Sequence, residues 1–67
     1  MEKNFNETYI LIGLYIDYGF HSKHEKIRLK REKVHKKLRI RWEKGIDRDA
    51  FETYFSDHNI TKEDIGL

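Results

Sequence analysis

Sixty-seven residues allow one small domain, and a chain this short buries only about 60% of its unfolded surface. It has no cysteine, which excludes a disulfide framework and a thiolate zinc site, so its stability must come from helix packing, self-association or a partner. Charged residues make up 39% of the chain, yet the net charge is only +2, because a strongly basic middle is balanced by acidic flanks. The lack of cysteine fits a cytoplasmic, intracellular protein. The most apolar run, Tyr9 to Ile16, is too short to cross a bilayer, which takes about 20 residues. Asp17, Tyr18 and Gly19 after it make a poor signal-peptide cleavage site. No membrane association is expected.

The first predicted element is a helix over residues 5–18. Asn4 with Glu7 approximates a capping box at its start, and Gly19 followed by Phe20 has the form of a helix stop. Ile10, Ile12, Leu14 and Ile16 also alternate as a strand would. The alternative fold is therefore an N-terminal strand followed by two helices, with the strand paired in a dimer. On a strand, however, the odd face of Tyr9, Leu11, Gly13, Tyr15 and Asp17 would be mostly apolar. As a helix, the segment is apolar nearly all round, more than the usual single stripe. It is then either the central core helix or a face for self-association or a partner, with Tyr9, Ile12, Tyr15 and Ile16 as the candidate residues. Gly13 costs about 1 kcal/mol in a helix interior relative to alanine, and close approach of another helix would account for it.

The second predicted helix covers residues 23–44 and opens with Ser22 and Glu25 as a capping box. Eleven Lys or Arg stand against three Glu between Lys23 and Lys44, a local charge of +8. On a helical wheel, Ile27, Val34, Leu38 and Trp42 form a core seam with Arg31 in its middle. Glu25, Glu32 and Glu43 share another sector with Arg28, Lys36 and Arg39, where Glu32 and Lys36 have the favourable pairing order. Lys23, Lys26, Lys30, Lys33, Lys37, Arg41 and Lys44 form the third sector. They recur at steps of three and four, within about 80° of the wheel, and no acid interrupts them. Like charges at those steps repel by a few tenths of a kcal/mol per pair, so an uninterrupted row points to an anionic partner. Leu29 and Ile40 border it.

Gly45 with Ile46 marks the end of that helix, and Asp47 is a candidate N-cap for a third helix over residues 48–58. Phe51, Tyr54, Phe55 and His58 form its apolar stripe, which makes it a lid on the core. It is a poor recognition helix for DNA, because Asp47, Asp49, Glu52 and Asp57 outweigh Arg48. Asn59 with Ile60 repeats the stop pattern, and Thr61 with Asp64 suggests a short capped turn at 62–65.

The expected fold is thus an all-α, small three-helix domain with a long basic central helix, in a single domain spanning residues 1–67. No catalytic constellation, Gly-rich phosphate loop or nucleophile motif is present. His21 and His24 lack further ligands, so neither metal nor cofactor is expected. The expected function is a non-enzymatic regulatory or accessory protein that contacts nucleic-acid phosphates through the basic row, independently of sequence. The alternative is a protein inhibitor or adaptor, of mobile-element or bacterial regulatory type. It would bind an acidic protein surface or use the apolar first segment, with a homodimer as a further possibility.

Overall fold

The computed structural model describes residues 6–21 and 23–67, residue 6 by its backbone alone. Helix α1 spans Asn6–Phe20, α2 spans Glu25–Lys44, α3 spans Arg48–His58, and a 3-10 turn at Lys62–Ile65 closes the chain. The expected three-helix domain is therefore the observed one. No described residue lies in a strand, which overturns the alternative of an N-terminal strand. Ile10 and Ile12 show why. Two residues apart on a strand share a face, but on a helix they diverge by about 200°. Ile12 is fully buried while Ile10 is 61% exposed.

Helix α1 is central. α2, α3 and the 3-10 turn all pack on it, so an element apolar on most sides is covered on most sides. The core joins Leu11 and Ile12 of α1, Val34 and Leu38 of α2, Phe51 and Tyr54 of α3, and Ile65 of the closing turn. Trp42 meets Phe51 edge to face at 5.2 Å between centroids. Truncating Ile12 to alanine should cost about 2–5 kcal/mol, measured by denaturant unfolding. Gly13 faces Tyr54, but a Cβ added there would sit 3.7 Å from the tyrosine Oη, an ordinary contact. Close approach does not require this glycine. Gly13→Ala should raise stability by up to about 1 kcal/mol through helix propensity alone.

The ends of the helices show which caps act as expected. Gly45 adopts the left-handed conformation at φ 75°. The Ile46 N–H bonds to the Arg41 carbonyl at 2.8 Å and the Gly45 N–H to the Trp42 carbonyl at 3.2 Å, the two bonds of a Schellman closure. Asn59 is also left-handed, with Ile60 N–H on the Phe55 carbonyl at 3.0 Å. The Thr61 N–H donates to the Asp64 carboxylate at 2.8 Å, as its box predicts.

Gly19 does not stop α1, which runs on to Phe20. Phe20 is 79% exposed instead of packing back, and the His21 N–H closes the last turn on the Tyr18 carbonyl. Helix α2 begins two residues later than expected, with His24 at the N-cap and no side-chain capping bond. The expected caps Asn4 and Ser22 lie outside the described residues.

Candidate binding surfaces around the basic helix

From Lys26 to Lys44 the basic row follows α2 for about 27 Å at 1.5 Å per residue. Lys26, Lys30, Lys33, Lys37 and Lys44 are all exposed. Lys23 is exposed too but precedes the helix, so it extends the row without sharing its register. Among the described residues no ion pair reaches any of these six lysines; the pairs present are Arg41 with Glu7 and Lys62 with Glu63. The expected Glu32–Lys36 pair is not among them. Leu29 and Ile40 are 53% and 52% exposed. Eleven residues apart, they lie within about 20° of each other on the wheel and edge the lysine row on the side away from the core.

Arg41 departs from the row. Its Nη2 donates to Glu7 Oε1 at 2.7 Å and its Nη1 to Thr8 Oγ1 at 2.9 Å. Thr8 is fully buried and donates its own proton to Asp47 Oδ2 at 2.6 Å. Glu7, Arg41, Thr8 and Asp47 thus form one connected knot, tying the start of α1 to the end of α2 and the turn into α3. The buried hydroxyl is satisfied as donor and acceptor. Asp47 stands at the N-cap of α3 but makes no side-chain capping bond, and its backbone is left-handed at φ 56°. A non-glycine residue there carries strain, and the bond to Thr8 holds it in place.

The four residues assigned to a self-association or partner face all contact other parts of the chain, and Tyr9, Tyr15 and Ile16 remain partly exposed. Ile12 is in the core, where no partner can reach it in the folded protein. Ile16 is half-buried against that core. Tyr9 is half-buried and donates to Asp57 Oδ2 at 2.9 Å. Its hydroxyl is held above its ordinary pKa of 10.0, first by that bond to a carboxylate and then by burial. Tyr15 accepts from Arg31 Nη2 at 3.1 Å and lies beside His35, ring centroids 5.4 Å apart.

Helix α3 is the expected lid. Phe51 and Tyr54 are buried, and His58 stacks on Tyr54 at 4.0 Å. Burial raises the Tyr54 hydroxyl pKa. Its outward residues Asp49, Glu52, Thr53, Ser56 and Asp57 line a broad surface depression of about 510 Å³. None of these acids pairs with the lysine row among the described residues.

A smaller cavity of about 270 Å³ lies between α1 and α2, lined by Tyr15, Arg31, Glu32, His35 and Lys36. Sequence reasoning placed Arg31 in the core seam and His35 beside it, but missed this cavity, because Tyr15 comes from another helix. His35 Nε2 also donates to the Gly66 carbonyl oxygen at 3.1 Å, fastening the C-terminal turn.

Among the described residues, no three His, Asp or Glu side chains are placed to hold a metal ion, and His21 and His24 are both exposed. No described helix is long and apolar enough to cross a membrane. Comparison of the chain with protein-family models, with curated proteins and with solved structures finds no match.

Proposed function

We propose that this is a non-enzymatic regulatory or accessory protein that binds nucleic acid through the lysine row of α2. The observation that carries the reading is the row itself: exposed ammonium groups at helical steps, with no ion pair among the described residues to neutralise their mutual repulsion. Folding gains nothing from such a row, since like charges at these steps cost a few tenths of a kcal/mol each. Phosphates in contact with it would release counterions and supply the missing favourable term.

The geometry also suggests how the polymer lies. The lysines occupy one flank of α2, while Glu25, Glu32 and Glu43 occupy the other. A helix seated squarely in a major groove would press those acids toward the opposite strand. The favoured arrangement therefore follows one phosphate backbone. Lysines act there as point charges, so affinity should depend little on sequence.

Titrating duplex DNA and RNA by gel shift across a salt series tests the proposal. Affinity should fall steeply with salt, and replacing Lys30, Lys33 and Lys37 by Glu should abolish it. Indifference to both polymers at low salt would contradict it. The exposure of Leu29 and Ile40 favours a second reading, in which the same face docks on an acidic protein with an apolar recess. Leu29→Ser with Ile40→Ser separates the two. It should leave phosphate binding intact and weaken only a protein complex.

A further inference from the structure

The geometry points to a second, independent anion site: the cavity between α1 and α2 binds a small phosphate-bearing molecule, with Arg31 as its principal ligand. Arg31 is half-buried, yet no carboxylate pairs with it among the described residues. Among the described residues its Nη2 reaches only the Tyr15 hydroxyl, at 3.1 Å. Its guanidinium carbon lies 4.6 Å from the centre of the Tyr15 ring, and its Nε is buried with no acceptor among the described residues.

A charge removed from water ordinarily requires a counter-charge or a full set of hydrogen bonds. Arg41 on the same helix shows the ordinary solution, with one carboxylate and one hydroxyl on its fork. Arg31 has the same chemistry and lacks the acid. What it does have is a cavity, in which Lys36 adds a second cation, His35 an imidazole, and Glu32 a single negative charge. The balance is positive, which suits an anion.

The ring of Tyr15 lies against one face of the guanidinium, and arginine's planar fork is the group that recognises planar or tetrahedral oxyanions. A volume of about 270 Å³ falls just below the usual small-molecule range of roughly 300–1,000 Å³. It accommodates a phosphate with a short attached group.

This site is separate from the proposed nucleic-acid face. Arg31 lies about 120° around the helix from the middle of the Lys26–Lys44 row, and His35 about 160°. A strand following the row does not cover the cavity. The C-terminal turn, in contrast, touches it: His35 bonds to Gly66, and a Cβ on Gly66 would meet His35 Nε2 at 2.9 Å. Occupancy should therefore register at the end of the chain.

Titration with inorganic phosphate at constant ionic strength, followed by the NMR signals of the Arg31 Nε–H and the Gly66 amide, tests the proposal. A saturable shift of both in the millimolar range is expected, with succinate weaker and chloride without effect. Lys36→Gln, a substitution at an exposed position, should weaken phosphate several-fold, and Arg31→Gln should abolish the shift of the Gly66 amide. Lys30→Gln with Lys33→Gln and Lys37→Gln should leave it unchanged. The proposal is overturned by the absence of a saturable shift, by an equal response to chloride, by tighter succinate binding, or by loss of the response in the lysine-row variant. None of these outcomes bears on whether the row itself binds nucleic acid.

Discussion

Arg41 and Lys37 occupy consecutive places in one row of cations, a helical turn apart, and the fold uses them in opposite ways. The Arg41 guanidinium is enclosed by Glu7 and the buried Thr8. The Lys37 ammonium faces solvent, and among the described residues no acid lies within ion-pair distance of it. The difference follows from position and chemistry. Arg41 lies where the first turn of α1 crosses the end of α2, and its planar fork satisfies two acceptors at once. Equal spacing in the sequence therefore joins two kinds of group, one that holds the fold together and one that leaves charge available.

The contrast makes predictions of decreasing size. Arg41→Gln should lower unfolding free energy by about 1–3 kcal/mol, because Glu7 and Thr8 lose a charge-assisted donor. Lys37→Gln should stay within about 0.5 kcal/mol of the parent. Denaturant melts of the two variants decide this, and equal effects would erase the distinction. Next, Arg41→Gln combined with Thr8→Val should show a coupling energy of about 0.5–3 kcal/mol, whereas Lys37→Gln with Thr8→Val should be additive within about 0.5 kcal/mol. Smallest, Lys33→Gln should raise stability by a few tenths of a kcal/mol, by relieving repulsion from Lys30 and Lys37. That gain should shrink as salt is added.

The same contrast marks what could be read from the sequence. Local signals were legible. Gly45 with Ile46 and Asn59 with Ile60 end their helices as their residue types require, because a cap is decided within six residues. The seam of Val34 and Leu38 follows from helical spacing in the same way. Roles set by distant partners were not legible. Arg41 reads as one more cation of the row because Glu7 and Thr8 are 34 and 33 residues away. Asp47 reads as a helix cap because its actual partner, Thr8, is 39 residues away.

Ile65 is fully buried, yet a lone apolar residue in a short turn has no periodicity to reveal it. Ile12 reads equally as core or contact face on an all-round apolar helix. Only the arrival of α2, α3 and the closing turn on α1 separates those readings.

We propose that the row offers phosphates its lysines and not its arginine. The slope of log affinity for duplex DNA against log salt tests this most directly, compared between the parent, the Lys30→Gln, Lys33→Gln and Lys37→Gln triple variant, and Arg41→Gln under conditions where all three are folded. Each lost phosphate contact reduces the slope by about 0.9. The triple variant should therefore lose about two to three units, and Arg41→Gln should keep the parent slope. A parent slope near zero, or an equal loss per residue at Arg41, would contradict the account.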